Sequence, residues 1–232
     1  MNNSINIIKA IFVKDLINEL RSKQTFASMV VLSIIIAWIF RLISSGVESA
    51  MTPVAAAVIM VSVVFSSILC CERSFAVEHD EGCIDGLLSA SFDKGDIYLG
   101  KLFFNITMLC IFDCIMVPVV CVCFNLAPAG NLLKLVIILL LVNIGVSATG
   151  TLLGSVVMSL RGRSSTLSIL IMALIMPMMI PAISGLMMVF STGADGGMFA
   201  DGQGFNAIAG VMAAYDAIFV TVCWLVFGFT VS

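Results

Sequence analysis

Six long runs of apolar residues follow one another along the chain, and shorter polar stretches separate them. Crossing the hydrocarbon core of a bilayer takes about 20 consecutive, mostly apolar residues in a helix, and each run is long enough. The pattern therefore predicts an all-α integral membrane protein with six transmembrane helices. We expect these helices near residues 25–43, 51–71, 102–124, 132–158, 166–190 and 208–230.

The segment before the first run shows a different pattern. Its apolar residues recur at helical spacing, at Ile8, Phe12, Leu16 and Leu20. Polar residues occupy the opposite side, among them Lys14, Asp15, Glu19 and Arg21. This spacing predicts an amphipathic helix, which we expect to lie along a lipid surface, the alternative being that it packs on loops of its own chain. The chain thus divides into an amphipathic segment, 1–24, and a transmembrane domain, 25–232.

The longest polar stretch, 72–101, separates the second and third apolar runs and holds ten ionisable side chains besides the single histidine, His79. Long loops often carry function, so we expect a functional role here. Asp93 and Asp96 have the spacing of a helix N-cap and third residue, which predicts a helix that continues into the third apolar run. An external loop, 191–207, is rich in glycine, and we expect it to be irregular or briefly re-entrant.

Composition supports a membrane protein and excludes several other classes. Of the 232 residues, 61% are apolar and 11% are charged, whereas about a quarter of the residues in a soluble domain are charged. The net charge is −3 and the basic residues are scattered, so we expect no nucleic-acid partner. The eight cysteines lie mostly in apolar runs. We expect them to be free thiols that pack as small apolar residues, with a metal or redox site as the alternative.

The distribution of basic residues predicts the orientation in the membrane. Nine of the eleven lysines and arginines precede the first apolar run or lie in the second and fourth loops, and two border the opposite side. An excess of basic residues in short loops marks the cytoplasmic side. We therefore expect both termini in the cytoplasm.

Several residues inside the apolar runs are candidates for function. Asp113 and Asp216 lie within the third and sixth runs, where a carboxyl group is costly unless it is neutral, paired or facing water. A role in transport and structural hydrogen bonding between helices both remain open. Three prolines predict helix bends because each removes a backbone donor, at Pro118, Pro177 and Pro181. Gly150 and Gly154 form a small-residue face that favours close helix packing.

Motifs for chemistry are few. Gly95, Gly100 and Lys101 have the spacing of a phosphate-binding loop, but Leu102 stands where that loop needs a hydroxyl group. If ATP drives this protein, we expect its hydrolysis on another polypeptide, and we predict no enzyme activity. With one histidine, in a charged stretch, the chain shows neither a catalytic triad nor an evident haem ligand set. The methionines of the fifth run could line a pocket for a flat ligand, although flexible packing is their usual role.

The order of these features resembles the cytochrome c maturation protein B family, also called the heme exporter protein B family, of ABC-2-type permeases. The resemblance extends over nearly the whole chain. It begins with Lys14-Asp15-Leu16, Glu19, Leu20 and Arg21. It is most specific in Glu72-Arg73, Phe75, Glu78, Gly82, Asp85, Leu87-Leu88, Ile97-Tyr98-Leu99-Gly100-Lys101 and Asn105. Ser89-Ala90-Ser91 departs from the family pattern, which usually has a proline there.

The resemblance implies a six-helix half-transporter in the bacterial inner membrane, paired with a second copy of itself and with a separate ABC ATPase subunit. It also implies partners in c-type cytochrome maturation, namely haem-handling membrane proteins and a haem chaperone. In such permeases the amphipathic N-terminal helix and the loop between the second and third spans both contact the ATPase, and the loop supplies a coupling helix. The matching residues here are Glu72, Arg73, Glu78, Glu81, Gly82 and Asp85.

The resemblance leaves two mechanisms open, transport of haem or a related solute and ATP-driven release of a haem-loaded chaperone from a membrane partner. The missing haem ligands favour the second. We expect no cofactor on this chain itself, haem as a substrate of the complex, and ATP on the partner subunit. Two other functions remain as alternatives, a proton-coupled secondary transporter that uses Asp113 and Asp216, and an ABC-2 permease for another small solute.

Overall fold

The structure is a computed structural model that describes residues 2–44, 46, 51–80, 94–126, 132–159, 164–190 and 202–230. This part of the chain forms seven helices and contains no strand. In chain order the helices are α1 (Asn2–Ser22), α2 (Gln24–Ser44), α3 (Met51–Asp80), α4 (Lys94–Phe124), α5 (Leu132–Ser159), α6 (Ser164–Phe190) and α7 (Gly202–Thr230).

Helices α2 to α7 are the six that are long and apolar enough to cross a membrane. A helix suits this environment because it satisfies its own backbone N–H and C=O groups where no water is present. The predicted all-α fold with six spans is therefore confirmed, and the chain is a multi-pass membrane protein.

Helices α3 and α5 form the interior of the bundle. Helix α3 packs against α2, α4, α5 and α6, and α5 packs against α3, α4, α6 and α7. In the apolar stretch of α3, 72% of the residues are buried, against 17% in α2 and in α7. The outer faces of α2 and α7 expose large apolar side chains such as Trp38, Ile43 and Val211. These faces suit contact with lipid rather than water.

Glycine brings α5 and α3 close together in the interior. A Cβ atom added at Gly150 would lie 2.5 Å from Sγ of Cys71, which is closer than real Cβ contacts occur. The close approach predicted from the small residues of the fourth apolar run is confirmed at Gly150.

Both long polar stretches that we predicted as loops are helical in part. Helix α3 continues to Asp80 and α4 begins at Lys94, so both ends of the predicted loop 72–101 are helical. The residues between Ser74 and Asp80 include no glycine or proline, and charged side chains alone do not end a helix that leaves the bilayer. The predicted helix start is confirmed, with Asp96 in the first turn of α4. The predicted cap, Asp93, lies outside the described residues.

The predicted loop 191–207 also has to be corrected at its end. Helix α7 begins at Gly202, so residues 202–207 are helical and not irregular. Phe205 explains the extension because it is buried in the main apolar core and lies under the ammonium group of Lys134, 5.4 Å from its ring centre. The remainder of that loop, 191–201, lies outside the described residues.

Helix α1 packs along α4, and its faces differ from those predicted. Phe12 and Leu16 pack against the core, whereas Leu20 is 62% exposed. Asp15, which we expected on the polar side, is buried. The reason is an ion pair inside the protein, described below. Helix α1 thus packs on helices of its own chain, and its exposed face carries the apolar residues Val13, Ile17 and Leu20.

The three prolines lie inside continuous helices. Pro118 is within α4, and Pro177 and Pro181 are within α6. The helical assignment is unbroken at all three positions, and the bends stay a prediction.

Candidate functional site

A buried lysine joins three helices at the end of the bundle where α1 lies. Lys101 of α4 is 1% exposed, and its Nζ atom lies 3.6 Å from Oδ2 of Asp15 in α1. The same ammonium group donates hydrogen bonds to the carbonyl oxygen and to Oγ of Ser74 in α3, both at 3.2 Å. A buried charge is tolerated only when it is paired and hydrogen-bonded. We call this contact of Lys101, Asp15 and Ser74 the Lys101 junction.

The residues just before Lys101 add a contact with α5 and a second contact with α1. Tyr98 is fully buried, and its hydroxyl group donates to the carbonyl oxygen of Ala148 in α5 at 3.3 Å. A Cβ atom added at Gly100 would lie 3.0 Å from Cβ of Ile11 and 3.3 Å from the carbonyl oxygen of Ile8 in α1. A larger residue at position 100 would therefore separate α1 from α4.

One turn further into α4, Asn105 connects α4 to α3 and α5. Its Oδ1 atom accepts from the thiol of Cys70 at 3.3 Å, and its Nδ2 donates to Oγ1 of Thr151 at 3.0 Å and to Sγ of Cys71 at 3.7 Å. Asn105 is fully buried. The motif from Tyr98 to Asn105 therefore supplies polar contacts from α4 to α1, α3 and α5.

The start of α2 is capped by Glu19 of α1. The hydroxyl group of Thr25 donates to Oε2 of Glu19 at 2.8 Å, and the backbone N–H of Phe26 donates to Oε1 at 3.0 Å. The carboxylate thus satisfies donors that have no partner within α2. Lys23, between the two helices, has φ of 52°, a left-handed conformation that interrupts the helix between α1 and α2. Together these contacts fix α1 relative to α2.

A cavity of about 360 Å³ lies between α1, α2, α3 and α4, and we call it the α1 cavity. Its polar lining includes Asp15, Glu19, Arg21 and Arg73. Phe104 and Met108 of α4 supply apolar lining. Nη2 of Arg73 in α3 donates to Oε1 of Gln24 in α2 at 3.0 Å. The cavity is therefore amphipathic.

Both intramembrane carboxyl groups lie against α5. Asp113 accepts a hydrogen bond there, whereas Asp216 accepts none within the described residues. Nδ2 of Asn143 in α5 donates to Oδ2 of Asp113 in α4 at 2.7 Å. Asp216 of α7 is 6% exposed, and within the described residues neither of its oxygens accepts a hydrogen bond. It lies beside Gly145, where an added Cβ atom would be 2.5 Å from Oδ1 of Asp216. The bond from Asn143 is a hydrogen bond between helices, which is the structural role that we considered for Asp113. A transport role for either carboxyl group stays a prediction.

The residues that we associated with ATPase contact divide into two groups. Glu72 and Arg73 lie on α3, where its apolar stretch ends at Ser74. The backbone of Glu78 belongs to the same helix. Glu81, Gly82 and Asp85 lie outside the described residues. Of the predicted residues of α1, Asp15 takes part in the Lys101 junction, Lys14 lies 3.9 Å from Asp15, Glu19 caps α2, and Arg21 lines the α1 cavity.

Sequence reasoning missed Lys101 and Asn143 as partners of the acidic residues. Lys101 was considered as part of a phosphate-binding spacing and of the family motif, and no partner residue was named for Asp113. A signal for both was present, since a lysine at the border of an apolar run and an asparagine inside one each need a polar partner.

Comparison with known proteins identifies the family. No curated protein matches this chain. The family model described as CcmB protein matches residues 6–224, which include the Lys101 junction, Asn105 and both intramembrane carboxyl groups. Because this match extends over almost the entire sequence, the chain belongs to the CcmB protein family, whose members are ABC-type permease components of haem export in cytochrome c maturation.

Proposed function

We propose that this chain is the membrane subunit of an ABC complex that is driven by a separate ATPase subunit and that pairs with a second copy of itself. Family membership supports the permease role. The observation that carries the ATP-driven part is the Lys101 junction, because it ties α1, α3 and α4 together close to where α3 and α4 extend toward residues 81–93. A force applied to that segment would reach three helices at once.

The proposed contact with the ATPase consists of charged residues and one glycine near and beyond the end of the apolar stretch of α3. These residues are Glu72, Glu78, Glu81, Gly82 and Asp85, with Arg73, which also lines the α1 cavity, at the border of the contact. Carboxylates and a guanidinium group at this border are suited to a protein surface that carries complementary charge.

Within cytochrome c maturation, we propose that ATP-driven motion remodels a haem-handling membrane partner and releases a haem-loaded chaperone. Direct export of haem through the dimer is the second mechanism. The position of His79, the single histidine, supports remodelling, because it lies beyond the apolar stretch of α3 rather than within the apolar interior where a transported haem would need ligands.

Copurification tests the ATPase partnership. Tagged protein extracted from its own cells in mild detergent is expected to carry a P-loop ATPase together with haem-handling membrane proteins, with haem absorption on the partners. The double charge reversal Glu78→Lys and Glu81→Lys is expected to lower the recovered ATPase at least about tenfold, because like charges at an interface cost several kcal/mol. The measurement is the ratio of ATPase to tagged protein by quantitative mass spectrometry.

The matched control leaves the acidic residues at the end of α3 unchanged. Asp195→Lys and Asp201→Lys reverse two acidic charges of the predicted external loop instead, and they are expected to leave that ratio unchanged. Equal ATPase recovery from the Glu78 and Glu81 variant would remove this contact assignment. Recovery of neither an ATPase nor haem from the wild type would favour proton-coupled transport through Asp113 and Asp216, for which Asp113→Asn should abolish activity.

We also propose that the protein lies in the bacterial inner membrane with both termini in the cytoplasm, as the basic residues indicate. In a variant without native cysteines, Asn206→Cys at the start of α7 is expected to react with a membrane-impermeant maleimide added outside the cell. Lys9→Cys in α1 is expected to react only after permeabilisation. Both positions are exposed, which makes them comparable. The reverse labelling pattern would invert the proposed orientation.

A further inference from the structure

The α1 cavity lies at the depth of lipid head groups. The apolar span of α2 begins at Gln24 and that of α3 ends at Ser74, and residues next to or at both positions line the cavity. The ends of adjacent spans mark the border between hydrocarbon and the polar zone of a bilayer. The cavity therefore opens where phosphate groups of lipids are concentrated.

The acidic residues of the cavity are engaged within the protein. Asp15 is paired with Lys101 at 3.6 Å, and both oxygens of Glu19 accept hydrogen bonds from the start of α2. Within the described residues, no carboxylate forms an ion pair with Arg21 or Arg73. The charge that the cavity offers to a ligand is therefore positive.

Farther into the membrane than these arginines, the lining of the α1 cavity becomes apolar. Phe104 and Met108 follow Lys101 along α4 toward the middle of its span, and Cys70 precedes Arg73 by about one turn on α3. A ligand that fits must therefore carry an anionic group at one end and apolar groups at the other. A volume of about 360 Å³ is sufficient for a phosphate group with its glycerol backbone and falls within the range of small-molecule sites.

We propose that the α1 cavity binds the phosphate group of a glycerophospholipid from the leaflet next to α1, with Arg21 and Arg73 as the phosphate ligands and with Phe104 and Met108 in contact with the first carbons of an acyl chain. Arginine suits this role because its planar group can donate two parallel hydrogen bonds to phosphate oxygens. Basic pockets between transmembrane helices are known binding sites for anionic lipid head groups. This lipid would fill the space between α1 and the bundle, and it is independent of the transported solute.

The test is lipid retention by the detergent-purified protein in native mass spectrometry, with phosphatidylglycerol as the probe. The double variant Arg21→Gln and Arg73→Gln is expected to bind phosphatidylglycerol at least about tenfold more weakly than the wild type, since hydrogen bonds to charged groups are lost. The matched control, Lys9→Gln and Lys23→Gln, also removes two positive charges, but from exposed positions outside the cavity. It is expected to bind the lipid as the wild type does.

Two further arms distinguish the sources of the anionic group. Inorganic phosphate at millimolar concentration is expected not to displace the lipid from the wild type, because it lacks the apolar part. Displacement by inorganic phosphate, equal retention by both double variants, or displacement by haem that depends on Arg21 and Arg73 would overturn the lipid assignment. If the double variant does not yield folded protein, the single variants Arg21→Gln and Arg73→Gln, together with the phosphate measurement on the wild type, decide the question.

Discussion

Replacing Asp15 with alanine is expected to destabilise the protein by about 3–5 kcal/mol, because it breaks a buried ion pair. The change removes the carboxylate that lies 3.6 Å from the ammonium group of Lys101, which is 1% exposed. Lys101 then keeps its bonds to Ser74 but loses the opposite charge that compensates its burial. We expect a clearly lower midpoint of thermal unfolding in mild detergent and a matching loss of cytochrome c maturation in cells.

A double variant separates the ion pair from other effects at this position. Asp15→Leu combined with Lys101→Met replaces both charges by apolar groups, and it is expected to recover most of the lost stability because a buried ion pair can often be replaced by packed apolar residues. Lys9→Met, an exposed lysine of the same helix, is the control and should unfold like the wild type. If Asp15→Ala unfolds at the wild-type midpoint, or if the double variant is less stable than the single one, the Lys101 junction does not stabilise the fold.

Replacing Gly145 with leucine is expected to cost about 3 kcal/mol or more, through overpacking in the interior. An added Cβ atom would lie 2.5 Å from Oδ1 of Asp216 and 2.6 Å from Sδ of Met178, so both side chains would have to move. The remaining carbons of leucine need further space, which is expected to push α5 away from α6 and α7. The control is Gly210→Leu in α7, where nothing lies within 4 Å of an added Cβ atom. It should unfold close to the wild-type midpoint.

The smaller exchange Gly145→Ala identifies the contact that causes the clash. Combined with Asp216→Ala, which removes the carboxyl group, Gly145→Ala is expected to be tolerated better than on the native background, and the two changes are therefore non-additive. The measurement is a double-mutant cycle of thermal unfolding midpoints. Strict additivity would mean that Asp216 does not limit the approach of α5 and α7.

The sequence was sufficient to predict the six transmembrane helices, because each needs a continuous apolar run, which is a local property of the chain. It was insufficient for the contacts between them. Asp15 and Lys101 are far apart in the chain, and only the packing of α1 on α4 shows that they meet. Asp15 therefore looked like a solvent-facing residue of an amphipathic helix, although its burial is a consequence of that ion pair.

The sequence identified candidate residues by their type and position, but it did not identify the residues that they contact. Asp113 and Asp216 could be recognised as unusual from their positions in apolar runs. That Asp113 binds an amide, from Asn143, depends on the angle between α4 and α5, which one sequence does not contain. The same reasoning holds for Asn105, whose contacts with Cys70 and Thr151 explain why an amide lies in the interior.

Helix α3 has a mechanical property that follows from its length and its composition. It runs for 30 residues, which corresponds to about 45 Å and exceeds a hydrocarbon core of about 30 Å. Its only proline is Pro53, at its third residue, and it has no glycine, so neither proline nor glycine interrupts its interior. A tilt of about 5° in such a rod displaces one end by about 4 Å relative to the other. Helix α3 can therefore act as a lever that carries a small stroke at Asp80 into the centre of the membrane without bending.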